Sequence, residues 1–289
     1  MKIEDIKNIC VVGAGNMGHQ IALKAALSGY KVTCTDVSEE VLRKAEQFAN
    51  NYLAERVEKG KLNKEKAEMA REKISFSSSL IDAAEDADYV IEAVIEKIDI
   101  KRKIFSQLDE ICKPDTILAT NSSSIVSSKL ADATSRPDKV VNMHFFNPAL
   151  AMKLVEVVKG PHVSDETAEI TMELSRRLEK KPVLLKKEIY GFLVNRILEA
   201  INKEALFLLD QGIANAEDID TAVVNALGHP MGPFTLMDFS GIDLLYHIFM
   251  EHYHESQNPA DKPSPSIVEK YALGEFGRKT GKGFYDYSK

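Results

Sequence analysis

Apolar residues along this chain follow two patterns that alternate. Short runs rich in β-branched residues indicate buried strands, and most are followed by a stretch in which apolar positions recur every three or four residues, as in an amphipathic helix. The strands are predicted at residues 7–12, 30–35, 89–94, 116–120, 140–143, 154–158 and 182–185. This alternation predicts an α/β fold with a Rossmann-like doubly wound sheet, which we assign to residues 1–186.

The pattern changes after residue 186. A long apolar-periodic helix is predicted at 190–209, and Asn215 is typical of a cap that opens a second helix ending near residue 227. Shorter helices are predicted beyond it. We therefore expect residues 187–289 to form an all-helical domain. Because a small helical domain often completes its burial against a second copy of itself, we expect a homodimer.

A glycine-rich turn, GAGNMG at residues 13–18, joins the first strand to the first helix. Gly13 permits the tight turn, Gly15 lets a pyrophosphate approach the backbone, and Gly18 lets helix and strand pack closely. The helix N-terminus offers amide hydrogens to that anion. Asp36 closes the second strand, where a carboxylate accepts from ribose hydroxyls and repels a 2′-phosphate. No arginine follows at 37–40, so the pattern predicts NAD rather than NADP.

A lysine-rich helical hairpin, residues 41–73, is inserted after the second strand. A solvated charged face accounts for most of these lysines. The alternative is that Lys59 and Lys61 contact a phosphorylated handle on the substrate.

His144 and Glu156 are the residues with the most evident chemistry. The run 154–158 is apolar enough to be a strand covered on both faces, as in a parallel sheet. An unpaired carboxylate there would cost about 3–5 kcal/mol. His144 is the partner we expect, because a carboxylate that holds an imidazole makes a general base. The alternative is a buried histidine bonded to a backbone carbonyl.

The composition is that of an ordinary globular protein and excludes several classes. A net charge of −7 and a pI near 5.6 argue against nucleic acid as the main partner. The 3 cysteines lack metal-site spacing, so we expect neither disulfides nor a metal centre. No apolar run approaches the roughly 20 residues of a membrane span. The N-terminus shows no leader, and we expect a cytoplasmic protein with no membrane partner.

Several motifs together resemble the L-3-hydroxyacyl-CoA dehydrogenase family, most closely its bacterial 3-hydroxybutyryl-CoA dehydrogenase branch. The resemblance covers essentially the whole chain. The motifs are GAGNMG (13–18), VIEAVIEKIDIK (90–101), ATNSSS (119–124), HFFNPALAMKLVEVV (144–158), GFLVNR (191–196), GHPMGPF (228–234) and GRKTGKGFYDY (277–287).

The resemblance implies a role for particular residues. His144 would be the catalytic base and Glu156 its paired carboxylate, while Ser123 and Asn195 would hold the substrate oxygen. Acetoacetyl-CoA and 3-hydroxybutyryl-CoA would be substrates, with NAD as the cofactor. The helical domain, residues 187–289, would take part in substrate binding and in dimerisation. The cofactor contacts would be Gly13, Gly15, Asn16, Met17, Gly18, Asp36, Ala93, Glu96, Lys101, Ser123, Asn147 and Lys279.

The chain departs from the family pattern at three positions. Ser122 replaces a threonine and keeps its hydroxyl. Tyr190 and Glu199 each replace a proline near Asn195, which bears on acyl-chain specificity more than on the reaction. Two alternatives stay open: a related dehydrogenase of a different hydroxy acid, and a non-catalytic NAD-binding dimeric protein.

Overall fold

The computed structural model describes residues 1–288, the side chain of Glu255 excepted. The chain forms two compact units, Met1–Leu193 and the residues from Val194 onwards. Segment 187–193, which the sequence pattern assigns to the helical domain, groups with the first unit. Among residues 1–288, no helix combines the length and the apolar character that crossing a bilayer requires.

One sheet of eight strands forms the centre of the first unit. In chain order the strands are β1 (Asn8–Val12), β2 (Lys31–Thr35), β3 (Ile74–Ser77), β4 (Tyr89–Glu92), β5 (Ile117–Thr120), β6 (Val140–Phe145), β7 (Leu154–Val158) and β8 (Lys181–Leu185). Across the sheet their order is β3-β2-β1-β4-β5-β6-β7-β8. The strands β4, β5 and β6 are buried along their whole length, which explains their continuous apolar runs. The predicted Rossmann-like, doubly wound sheet is confirmed.

The strand β7 differs from the prediction of a parallel sheet, because it runs antiparallel to β6 and parallel only to β8. The reason lies in the connection, residues 146–153, which contains no helix. A parallel crossover needs about a dozen or more residues, whereas an antiparallel pair needs only a short turn. The chain therefore reverses here, and His144 pairs directly with Glu156 in the register.

Seven helices are described in the first unit: α1 (Gly18–Leu27), α2 (Glu39–Glu58), α3 (Lys64–Lys73), α4 (Leu80–Ala84), α5 (Ile98–Ile111), α6 (Ser128–Ala131) and α7 (Asp165–Arg177). The predicted hairpin is present as α2 and α3. Both begin at a side-chain cap, since Ser38 accepts from the N–H of Val41 and Asn63 accepts from that of Lys66. The edge strand β3 follows α3 directly. None of its four residues is fully buried, so it lacks the continuous apolar run by which β4 and β5 were predicted.

The second unit is helical, as predicted. Its described helices are α8 (Val194–Asp210), α9 (Ala216–Leu227), α10 (Pro233–Ser240), α11 (Ile242–Ser256) and α12 (Pro265–Ala272). Asn215 caps α9 by accepting from the N–H of Asp218, at 2.9 Å. The core of this unit is built on the buried side chains of Leu206, Phe234, Met237, Ile242 and Ile267.

The start of α8 differs from the predicted start at residue 190. Gly191 has φ 71° and Phe192 has φ 50°. Both residues are therefore left-handed, and a right-handed helix cannot include them. Phe192 is fully buried, so packing of its ring offsets the backbone strain.

Candidate active site

The glycine turn after β1 has three positions with different surroundings. Gly13 has φ +98°, and a Cβ there would lie 2.6 Å from the carbonyl oxygen of Ala93. A Cβ at Gly18 would lie 1.7 Å from the carbonyl oxygen of Gly13, so α1 packs directly on the turn. A Cβ at Gly15 would meet nothing within 4 Å. Open backbone at Gly15, beside the N-terminus of α1, is the arrangement that a pyrophosphate requires.

Asp36 lies one residue beyond β2 and joins it to this turn. Its Oδ2 accepts from the N–H of Ala14 at 2.9 Å, and its Oδ1 accepts from the N–H of Ser38 at 3.0 Å. A carboxylate oxygen has a second lone-pair site. Asp36 can thus hold the turn and still accept from a ribose.

Asn16 and Asn147 connect the glycine turn to the loop after β6. The Nδ2 of Asn16 donates to the Oδ1 of Asn147 at 3.1 Å. Met17, which follows Asn16, is half-buried against the core of the unit. The structure therefore brings together these predicted cofactor residues, which are far apart in the sequence.

His144 and Glu156 face each other across the antiparallel pair β6–β7. The Nδ1 of His144 lies 2.9 Å from the Oε2 of Glu156. Both residues are buried, with exposed fractions of 6% and 0%. The other carboxylate oxygen, Oε1, accepts from the N–H of Leu193 at 3.0 Å. Because Nδ1 faces the carboxylate, it carries the proton in the neutral imidazole, and Nε2 is left as the basic nitrogen.

Two aromatic rings surround the imidazole of His144. The ring centroids of Phe146 and Phe192 lie 4.6 Å and 5.5 Å from it. A hydrogen bond also fixes the neighbouring backbone, since Phe145 donates its N–H to the Oδ1 of Asn121 at 2.9 Å. These contacts restrict the orientation of the ring.

A second buried carboxylate, Glu92, was missed by the sequence analysis. It ends β4 with no exposed surface and accepts from three donors at 2.7 Å: the N–H of Val94, the hydroxyl of Thr120 and the ammonium of Lys101. Lys101 is only 1% exposed and also lies 3.2 Å from Glu96. The signal in the sequence was an acidic residue inside the apolar run YVIEAV, the same signal that drew attention to Glu156.

Glu96 shapes the ATNSSS loop that follows β5. Its Oε1 accepts from the hydroxyl of Ser122, and from the N–H and hydroxyl of Ser124 at 3.2 Å and 2.8 Å. Burial alone would raise the pKa of the Glu96 carboxyl, but Lys101 and these donors outweigh it and hold the pKa below its usual value. Ser123, between the two bonded serines, is exposed.

Comparison with known proteins agrees with this geometry. Residues 8–189 match the 3-hydroxyacyl-CoA dehydrogenase NAD binding domain, and residues 191–287 match the C-terminal domain of the same enzymes. The chain belongs to the 3-hydroxyacyl-CoA dehydrogenase family. It is an NAD-dependent oxidoreductase, as the sequence predicts.

Individual relatives cover nearly the whole chain. The mitochondrial hydroxyacyl-coenzyme A dehydrogenase of Sus scrofa is 40% identical, over 98% of this chain and 91% of its own. The 3-hydroxybutyryl-CoA dehydrogenase of Bradyrhizobium diazoefficiens is 39% identical, over 98% of this chain and 96% of its own. The crystal structure of (S)-3-hydroxybutyryl-CoA dehydrogenase from Ralstonia eutropha is 38% identical with a TM-score of 0.92, and the match covers 99% of this chain and 100% of that one.

Four further predicted site residues of this dehydrogenase belong to the helical unit and to the hairpin of α2 and α3. Asn195 is the second residue of α8, and Lys279 pairs with Asp243 at 2.5 Å; both belong to the second unit. Lys59 is the C-cap of α2 and pairs with Glu55 at 2.5 Å. Lys61 is exposed in the turn between α2 and α3.

Glu199, the residue found in place of a family proline, belongs to a polar cluster in the second unit of the dehydrogenase. Its Oε1 lies 2.7 Å from the Nδ1 of His252. Together with Asp261 these groups could hold a metal ion, since their ligand atoms lie within 4.8 Å of one another. The ammonium of Lys203 already lies against both carboxylates, at 2.8 Å and 2.6 Å, and supplies the positive charge.

Proposed function

We propose that this protein interconverts (S)-3-hydroxybutyryl-CoA, or another short-chain L-3-hydroxyacyl-CoA, with the 3-ketoacyl-CoA, of which acetoacetyl-CoA is the simplest. The observation that carries the proposal is the buried pair of His144 and Glu156. His144 lies near the carboxyl end of β6, in the same sheet as the strand β1 that leads into the glycine turn. The names of the relatives from Bradyrhizobium diazoefficiens and Ralstonia eutropha support the short-chain substrate.

In this mechanism His144 is the general base. Its Nε2 takes the proton of the 3-hydroxyl, while Glu156 keeps the proton on Nδ1 and stabilises the imidazolium that forms. The glycine turn and Asp36 would hold NAD, which would supply the acceptor for the hydride of C3 in one direction and the hydride donor in the other. In the reverse direction the imidazolium of His144 protonates the oxygen of the ketone.

We propose that Ser123 and Asn195 donate hydrogen bonds to the 3-oxygen of the substrate. A hydroxyl and an amide are neutral donors, which stabilise the charge that develops on this oxygen without neutralising the base. The exposed position of Ser123, on a loop held by Glu96, supports its part of this assignment. Conversion of Ser123 to Ala should lower kcat more than it raises KM, because the bond strengthens in the transition state.

A spectrophotometric titration tests the proposed reaction. Acetoacetyl-CoA, longer 3-ketoacyl-CoAs and free acetoacetate are each offered with NADH and with NADPH, and loss of the reduced cofactor is followed. Turnover of acetoacetyl-CoA with NADH, with little turnover of free acetoacetate, is the expected result. Preference for free acetoacetate would identify a dehydrogenase of a different acid, and NADH binding without turnover of any acyl-CoA would indicate a non-catalytic protein.

We further propose that Lys59 and Lys61 meet the phosphates of the CoA handle. Both are exposed, which supports this role, although Lys59 also pairs with Glu55. In the variant Lys59→Gln/Lys61→Gln, KM for acetoacetyl-CoA should rise about tenfold or more. KM for the pantetheine thioester, which has no phosphoanhydride, should not change. An equal change in KM for the two substrates would show that the lysines do not contact the phosphates of CoA.

We propose a homodimer through the helical unit. Its large apolar side chains with the most exposed surface are Leu227 (68%), Ile213 (63%), Leu273 (62%), Ile197 (61%) and Phe239 (61%). Large apolar side chains with this much exposed surface would lose it to a second copy packed on the unit. Sedimentation velocity should give twice the 32.2 kDa chain mass. A monomer at micromolar concentration would contradict the proposal.

A further inference from the structure

A pocket of about 490 Å³ lies at the opposite end of the strands from the glycine turn. Its walls come from Lys7, just before β1, from the turn between α1 and β2, and from the ends of α3 and α7. The glycine turn follows the last residue of β1, whereas this pocket adjoins the first. It is therefore distinct from the dinucleotide site.

Four cationic side chains line the pocket: Lys7, Lys31, Lys73 and Arg177. This is a local excess of positive charge in a chain whose net charge is −7. No acidic residue is among the described residues that line the pocket. A concave surface with charge of one sign raises the local concentration of ligands of the opposite sign.

Lys7 and Lys31 carry two of the ammonium groups in this pocket that no described carboxylate neutralises. The N–H of Lys31 donates to the carbonyl oxygen of Lys7 at 3.0 Å, so the two residues are neighbours on adjacent chain segments. Both are exposed, and neither ammonium has an ion pair or hydrogen bond within residues 1–288.

The other two cations are held in place by the protein. The ammonium of Lys73 donates to the carbonyl oxygen of Gly29, and Arg177 pairs with Glu4 at 2.7 Å and with Glu173 at 3.5 Å. Their side chains are therefore already fixed at the edge of the pocket before a ligand binds. Lys7 and Lys31 are free to close on a ligand.

Tyr30 adds a neutral donor to the same wall. Burial raises the pKa of its phenol, although the nearby Arg177 acts in the opposite direction. The phenol therefore stays protonated at neutral pH and can donate to an anionic oxygen. A set of ammonium, guanidinium and hydroxyl groups is what recognition of phosphate oxygens requires.

We propose that this pocket binds a small polyanion of the diphosphate class, either free or carried by a nucleotide. Three ammonium groups have no carboxylate partner within residues 1–288, those of Lys7, Lys31 and Lys73, and together they match more than one negative charge. By contrast, Glu4 and Glu173 offset the charge of Arg177. The volume of the pocket also exceeds that of a single phosphate. The ligand would bridge the start of β1 and β2 to the end of α3, and so stabilise the first unit.

The test uses the full chain saturated with NADH and with CoA, so that the dinucleotide site and the proposed CoA site are both filled. Inorganic pyrophosphate is titrated by calorimetry at constant ionic strength. The wild type should bind one pyrophosphate with a saturable isotherm. The variant Lys7→Gln/Lys31→Gln should bind at least about tenfold more weakly.

A matched control separates a local site from general electrostatics. Lys44→Gln/Lys103→Gln removes the same charge from exposed positions on α2 and α5 and should leave pyrophosphate binding unchanged. Lys7→Arg/Lys31→Arg should retain it. Equal weakening by both glutamine variants would overturn the proposal, as would a wild type without saturable binding at about 10 mM pyrophosphate. NADH binding by each variant shows that it is folded.

A second titration, with ADP, distinguishes a free diphosphate from one carried by a nucleotide. ADP is titrated into the same protein, again saturated with NADH and with CoA. Affinity equal to that of pyrophosphate means that the pocket recognises the diphosphate alone. Affinity at least about tenfold higher means that it also binds the nucleoside. Both outcomes support a diphosphate site and differ only in its natural ligand.

Discussion

Leu193 donates its backbone N–H to the Oε1 of Glu156, at 3.0 Å. The other oxygen of the same carboxylate lies 2.9 Å from the imidazole of His144. One buried group therefore ties the proposed base to the last residue of the first unit, immediately before α8. The two residues before Leu193, Gly191 and Phe192, have left-handed backbone. The orientation of His144 thus depends on the segment 191–193 as well as on β7.

Replacement of His144 tests its role as the base. In His144→Gln we expect kcat to fall by about 10²–10⁴-fold, because the side chain can no longer take up the hydroxyl proton. The Kd for NADH should stay the same. The exposed His254 provides a control, and His254→Gln should have wild-type activity. A His144→Gln enzyme within threefold of wild type would show that the histidine is structural.

Glu156→Gln removes the negative charge of the carboxylate and keeps the size of the side chain. A glutamine can accept from Leu193 through its oxygen, but its amide donates to the Nδ1 of His144. The imidazole is then held with its proton on Nε2, where it cannot act as a base. We expect kcat to fall by about 10²–10⁴-fold, with urea unfolding close to that of wild type. A large loss of stability with unchanged kcat would contradict this role.

Asp36 is expected to determine the choice of cofactor. In Asp36→Ala the preference for NADH over NADPH, measured as the ratio of kcat/KM values, should narrow because the repulsion of a 2′-phosphate is gone. Alanine also loses the bonds to Ala14 and Ser38. Asp36→Asn is the milder variant, since it removes the charge but keeps one of the two acceptor oxygens that bind Ala14 and Ser38. An unchanged ratio in both variants would refute the ribose contact.

The buried pair of Glu92 and Lys101 should dominate the stability of the loops around it. Lys101→Met leaves a carboxylate buried without its cation, and we expect a loss of about 3–5 kcal/mol in the free energy of unfolding. The double variant Glu92→Leu/Lys101→Met should recover part of that loss. Lys44→Gln breaks an exposed pair with Glu40 and should cost at most about 1 kcal/mol. If the double variant lost the sum of the unfolding free energies lost by the two single variants, Glu92 and Lys101 would not be energetically coupled.

Lys180 provides a pH-dependent test. Its ammonium donates to the carbonyl oxygens of Ala149 and Met152, at 2.5 Å and 2.7 Å. Burial, aided by Lys24, lowers its pKa from 10.5 to about 8. Between these values the unfolded chain binds the additional proton, so the stability contributed by Lys180 rises as the pH rises through this window.

Lys180→Met lacks this titration and serves as the reference. The free energy of unfolding of wild type minus that of the variant should increase between pH 8 and pH 10.5. Urea unfolding at several pH values measures the difference. A constant difference would mean that the lysine titrates in the folded protein as it does in solvent.

Much of the first unit was predictable from local pattern. The β-branched runs gave the positions of β1, β2 and β4 to within one or two residues, because strands buried on both faces need continuous apolar sequence. The glycine spacing predicted the turn, since the conformation of Gly13 and the close packing at Gly18 exclude side chains. Errors arose where a neighbouring strand or a loop decides the structure: the direction of β7, the edge strand β3 and the start of α8.

By itself, the sequence determined which segments are strands, where the dinucleotide turn lies and which residue types carry the chemistry, because these depend on residues close together in the chain. Only the tertiary structure decided that Glu156 faces His144 across an antiparallel pair, that Glu92 holds Lys101, and that four cations meet around one pocket. These relationships depend on how distant strands and helices pack, and a linear pattern does not encode the register or direction of that packing.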